Sequence, residues 1–222
     1  ELKWSDEFDV FAKAAVDYPF YSGKELYPMV HKMRTGNDVY ESIPANYYNF
    51  RKNIDCNNAA LSDYSPFVMY LSHMLNNMGS INYHNHFTEV DLALKTNINK
   101  MNIADTLIKN EKVKNTILNN IAFTYLLEDQ NMYNNTKFIE RYLEISTDAS
   151  LEKEIRTIYT SVQNLKVGNT LPKIDLVNAN NELVNLKSLI TKPTVLYFWT
   201  THAESHLVIA HQKINALQEK HP

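Results

Sequence analysis

His202 and His206 stand at i and i+4, a spacing that puts both imidazoles on one side of a helical turn, with Glu204 nearby and His211 further along. Neutral imidazoles so placed can supply two of the roughly three or four ligands of a zinc site. No glutamate follows His202 directly, so this is not the His-Glu-x-x-His pattern of metalloproteases. Exposed histidines on a loop are the expected reading, with metal binding at His202 and His206 as the alternative. A second pair, His84 and His86, would share a face if their segment were extended, but no third ligand lies beside them. Two surface histidines in a loop are expected there. Cys56, between Asp55 and Asn57, is the only cysteine. It excludes an intramolecular disulfide and any centre that needs two thiols.

Other chemistry finds little support. Glu152 and Glu154 belong on a solvated helix face beside Lys153, not in a recessed acid–base pair. There is no Gly-rich phosphate loop and no serine-hydrolase elbow, and no cofactor is expected. Asn134-Asn135-Thr136 fits the glycosylation acceptor pattern, but with 27 asparagines in the chain such a match is expected by chance. Aromatic residues crowd at Tyr18-Pro19-Phe20-Tyr21 and Tyr47-Tyr48-Asn49-Phe50. Such clusters can line a peptide or sugar groove; packing between helices is the simpler expectation.

The elements that must position these residues fall into two parts, 1–164 and 165–222. The first reads as helices, with expected spans near 6–16, 24–34 and 44–54. A further helix starts at Ser65-Pro66, carries Phe67, Leu71, Met74 and Met78 on one face, and stops at Gly79. Val113, Ile117, Ile121 and Tyr125 form another apolar stripe. Phe138, Tyr142 and Ile145 form a shorter one, and Leu151, Ile155, Ile158 and Val162 a last one. No fixed period near 34 residues is evident, so an irregular helical domain is expected rather than a repeat array.

From Leu165 the period changes. Ile174–Val177 and Leu183–Leu186 read as two short extended pieces around a polar turn, Asn178–Glu182. Thr194–Trp199 is an apolar, β-rich run suited to a buried strand, and Val208, Ile209, Ile214 and Leu217 return to helical spacing. Strand, turn and helix make the opening half of a βαβ unit. The fold class expected is therefore mainly α, an irregular helical domain followed by the N-terminal part of an α/β domain.

Size and composition set the outer bounds. A chain of 222 residues buries roughly 70% of its unfolded surface and needs no metal or disulfide staple. Hydrophobic residues at 44% and charged residues at 21% exclude a disordered chain. A net charge of -3 gives no electrostatic case for nucleic-acid binding. No stretch reaches the roughly 18 apolar residues of a membrane span. The opening Glu1-Leu2-Lys3-Trp4 carries neither an initiator methionine nor a signal pattern.

Gly168-x-x-x-Pro172, the polar turn before Leu183-Val184-Asn185-Leu186, Lys192-Pro193 and Leu196-Tyr197-Phe198-Trp199-Thr200-Thr201 resemble the TlpA-like thioredoxin family of bacterial envelope proteins. The resemblance covers residues 165–222 and implies a thioredoxin-like α/β fold and a periplasmic or envelope-associated location. It also implies where the family's two redox cysteines would fall, at Ala203 and His206. Alanine offers no nucleophile and histidine cannot close a disulfide, so these are degenerate positions. The family's cis-proline strand would lie past Pro222. The expectation is a non-catalytic thioredoxin-like protein with a binding or scaffold role toward a protein or peptide. Two other readings stay open: an oxidoreductase using cysteines outside this chain or a partner's thiol, and a helical adaptor that binds peptides. Half a thioredoxin sheet would leave the Val195–Phe198 strand with unpaired edges, so it is expected to pair with another chain, as in a strand-mediated homodimer, to pack on the helical domain, or to belong to a longer protein.

Overall fold

The computed structural model describes residues 4–80, 91–128, 131–200, 202 and 204–220, with the side chains of 204 and 205 excepted. The two histidines His84 and His86, and Ala203, lie outside the described residues. The chain divides into two compact units, Glu1–Thr170 and Leu171–Pro222. Among the described residues it is mainly helical, with one small two-stranded sheet.

Helix α1 runs unbroken from Asp6 to Thr35. Ser5 caps its start by accepting from the Phe8 N–H, and Gly36 ends it in the left-handed region at φ 76°. The two helices expected over 6–16 and 24–34 are thus one. Pro19 and Pro28, which would ordinarily break a helix, sit inside it. The helix is held from outside: Ala14, Tyr18, Ser22, Glu25 and Pro28 are all buried, and α1 packs along α2 (Ser65–Ser80). The span expected near 44–54 is a 3-10 segment, Tyr47–Asn53.

Gly79 does not stop α2, which runs on to Ser80. Its role is close approach: a Cβ there would lie 2.7 Å from Lys100 Cγ on α3 (Leu92–Leu107). Three more helices follow, α4 (Glu111–Glu128), α5 (Met132–Ile145) and α6 (Ala149–Asn164). Asn131 and Asp148 cap α5 and α6 by accepting first-turn N–H groups. The stripes on α2, α4 and α5 form the core: Phe67, Leu71, Ile117, Tyr125, Phe138 and Tyr142 are all fully or almost fully buried. On α6 only Ile155 is buried, and Ile158 packs against the core from its edge. The glycosylation-like Asn134 lies buried inside α5, out of reach of a modifying enzyme.

The second unit is sparse. Strands β1 (Asp175–Val177) and β2 (Leu183–Asn185) pair antiparallel, Leu176 opposite Val184. Asn178 builds the turn, its Oδ1 accepting from the Asn180 and Glu182 N–H groups, while Asn181 takes the left-handed conformation that asparagine tolerates. A short helix, α7 (Leu186–Leu189), follows directly, and α8 spans Glu204–Lys220. The strand expected over Thr194–Trp199 belongs to no sheet. A β-rich run forms a ladder only against a partner edge, and none pairs with it among the described residues. Phe198 is 93% exposed.

Candidate functional site

The residues singled out in the second unit stand at or near its surface. His202 sits exposed in the turn before α8, its ring nitrogen Nδ1 3.4 Å from Thr200 Oγ1, and His206 is exposed on α8. His211 turns instead to the aromatic run, meeting Tyr197 and Trp199 edge-on at centroid distances of 6.0 and 5.9 Å. Among the described residues no group of three or more His, Cys, Asp or Glu side chains could hold a metal ion. Cys56 lies in the other unit, half-buried and packed against the helical core. Burial pushes its thiol pKa up, and the Asp55 carboxylate pushes the same way. A thiolate nucleophile needs the opposite setting.

The helical unit holds a more developed arrangement. The aromatic clusters noted in the sequence meet each other: Tyr21 stacks on Phe50, centroids 5.3 Å apart and planes 4° apart. Tyr18 packs edge-on against Phe67. Most of these rings therefore do packing work, while Phe20 stays exposed with the Lys24 ammonium 5.8 Å above it. The same ammonium lies 4.5 Å over Phe50. These contacts fasten the 3-10 segment to α1, and Tyr47 adds a hydroxyl bond to the Lys24 carbonyl.

That fastening delivers Arg51 to Glu25. The Glu25 carboxylate is fully buried. Arg51 grips it with two parallel bonds, Nε to Oε1 at 2.7 Å and Nη2 to Oε2 at 2.5 Å, and its guanidinium lies 4.0 Å over the Tyr48 ring. From α2, Asn77 Nδ2 donates to Glu25 Oε2 at 2.9 Å. A carboxylate oxygen can only accept, so the amide nitrogen must face it, and Asn77 Oδ1 is thereby turned away. That oxygen is buried and has no hydrogen-bond partner among the described residues.

Above this pair opens a cleft of about 370 Å³ between α1, α2 and α3, with Tyr40 at its side. Its walls are Leu26 and Met29 from α1, His73 and Asn77 one turn apart on α2, and Leu92 and Thr96 from α3. His73 Nδ1 is likewise buried without a partner. Burial pushes the His73 imidazole pKa down, against a smaller upward pull from Glu25, so the ring is held neutral. Burial also raises the Tyr40 hydroxyl to about 12, helped by Tyr48 and Asp38. Lys32, on the rim, is paired with Asp38 at 2.7 Å.

No motif marked this cleft in advance. Its parts come together over separations of 26 and 52 residues, and only the aromatic clusters gave a local signal. No protein-family model, no curated protein and no solved structure matches this chain. Among the described residues no helix is long and apolar enough to cross a membrane.

Proposed function

We propose that this chain is a non-catalytic, TlpA-type thioredoxin-like protein of a bacterial envelope, whose helical unit does the binding. The observation that carries this reading is the setting of the sole thiol. Cys56 is half-buried, its pKa is raised, and it has no second cysteine to resolve a mixed disulfide. The order Gly168, Pro172, β1, polar turn, β2, Lys192-Pro193 and the aromatic run supports the family resemblance, with Ala203 and His206 at the redox positions. The cleft over Glu25 supports a binding role, because a recessed site with its charges already paired suits recognition better than proton transfer.

The exposed run Val195–Trp199 adds a second contact in this reading, strand pairing between two copies. Sedimentation velocity should then show a concentration-dependent dimer that Leu196→Lys removes.

The test of the main reading is disulfide reduction of insulin by dithiothreitol in the presence of the full chain. Neither the wild type nor Cys56→Ser should accelerate it. Acceleration that survives Cys56→Ser, or acceleration that the substitution abolishes, would overturn the non-catalytic assignment.

A further inference from the structure

Helix α1 buries one side in the core and carries a second, self-matching line of residues on the other. Asp9, Val16, Phe20, Gly23, Tyr27 and Arg34 are all exposed, and at about 100° per residue they fall within about 30° of one line along the helix. Buried Ala14, Tyr18 and Glu25 lie on the opposite side. Val16 is 71% exposed and Phe20 65%, far more than an ordinary helix surface needs. The steps between the six residues are 7, 4, 3, 4 and 7, the same read from either end, and steps of 3 and 4 are those of a helix–helix seam.

A palindromic spacing is what an antiparallel pair of identical helices requires. A two-fold axis midway between Phe20 and Gly23 sets each of the six residues level with its counterpart in the other copy. The chemistry matches across that axis. Asp9 comes level with the partner's Arg34, Val16 with the partner's Tyr27, and Phe20 with the partner's Gly23, each contact made twice. Neither the Asp9 carboxylate nor the Arg34 guanidinium has an ion-pair or hydrogen-bond partner among the described residues. Gly23 sits mid-helix, where glycine is a poor choice, and a Cβ there would meet nothing within 4 Å. Packing within the chain gives no reason for it, whereas a phenyl ring pressed close from outside does. We propose that two copies of this chain associate antiparallel along the outward line of α1, with Phe20 of each seated on the partner's Gly23 and an Asp9–Arg34 ion pair closing each end. One stripe of a helix about 45 Å long buries less than the roughly 800 Å² per partner of a standard interface, so the contact is weak and reversible. It forms above the dilute range in which strand pairing is read, and it depends neither on that pairing nor on the thioredoxin resemblance.

The experiment is sedimentation equilibrium of the full chain carrying Leu196→Lys, in which strand pairing is blocked. It should be monomeric when dilute and dimerise with a Kd on the order of 0.1 mM. In that background Asp9→Arg should weaken the dimer about 10-fold, because it sets like charges together at both ends, and Arg34→Asp should do the same. The two combined restore opposite charges at each end, and the dimer should return. Gly23→Gln should abolish dimerisation and leave the urea midpoint of the dilute chain unchanged or raised, since glutamine is the better helix former and has open space in the monomer. A lowered midpoint would make Gly23 a requirement of the fold, and a dimer unmoved by Gly23→Gln would run through another surface; either result overturns the proposal. So does a dimer that the double reversal fails to restore, or a chain still monomeric at ~1 mM. A monomer that instead floats with neutral phosphatidylcholine vesicles would give this face to a lipid surface, with the same consequence. None of these outcomes touches the insulin assay, so the two readings fail separately.

Discussion

Phe67 and Phe198 are the same side chain in opposite circumstances. Phe67 has no exposed surface and packs edge-on against Tyr18, inside a core that draws on α1 through α6. Phe198 is 93% exposed, in a unit where Leu186 is the one buried hydrophobic residue among those described. The comparison shows that apolar character alone does not make a core. Phe67 lies on a helix whose stripe meets other stripes, whereas Phe198 lies on a run whose natural neighbours would be other strands, and the only ladder among the described residues of its unit spans three residues on each side.

The sharpest test of that contrast is in the core itself. Phe67→Ala should cost about 3–5 kcal/mol, read as a fall in the urea midpoint, because it leaves a cavity that rigid helices fill poorly. A cost under ~1 kcal/mol would mean that the helical unit is loosely packed and the contrast is one of degree.

Next comes the paired floor of the cleft. Arg51→Ala strands the fully buried Glu25 carboxylate and should cost about 3 kcal/mol, most of it recovered when Glu25→Gln is added. The exposed Lys112–Asp63 pair is the control: Lys112→Ala should change stability by less than about 1 kcal/mol, although its bond is equally short.

How far all this could be read from the sequence depends on the range of the interactions. The stripes of α2, α4 and α5 were legible because Phe67/Leu71, Ile117/Ile121 and Phe138/Tyr142 repeat at helical spacing and each faces the core. α1 was misread as two helices because proline is locally a breaker, and packing against α2 overrides it at Pro19 and Pro28. α3 gave no distinct signal, since Asn97, Asn99 and Asn102 dilute its apolar pattern. Thr194–Trp199 has strand composition, but a strand is a property of two edges, and composition describes only one of them. The β1–β2 hairpin was legible through its local asparagine turn. The cleft was not, because Glu25, Arg51 and Asn77 come from three separate elements, and His73 is one histidine among eight until its neighbours are known.

The pH response separates the two units in a different way. Burial lowers the His73 pKa below its ordinary value of 6.5, so the unfolded chain binds that proton more readily than the folded one. Stability from this group is therefore full above 6.5 and declines as pH falls through that value toward the lower folded one. Urea midpoints at pH 7 and pH 5 should differ in the wild type, and His73→Gln should shrink the difference. An unchanged slope would place His73 in solvent and remove the cleft's neutral wall.

The smallest expected effect is the counterpart of the largest. Phe198→Ala should shift the urea midpoint by no more than the equivalent of ~0.5 kcal/mol, since its ring is already in water. A cost approaching that of Phe67→Ala would show that the run is buried in solution.

Hydrogen exchange on the intact chain, followed by mass spectrometry at a concentration too low for dimers, tests the division most directly. Amides in α2, α4 and α5 should open only with global unfolding, and those of residues 194–200 should exchange at the first time point. Protection of 194–200 matching that of α4 in the isolated chain would contradict the account. The aromatic run would then be part of a folded sheet within one molecule, and the helical unit would not be the sole stable core.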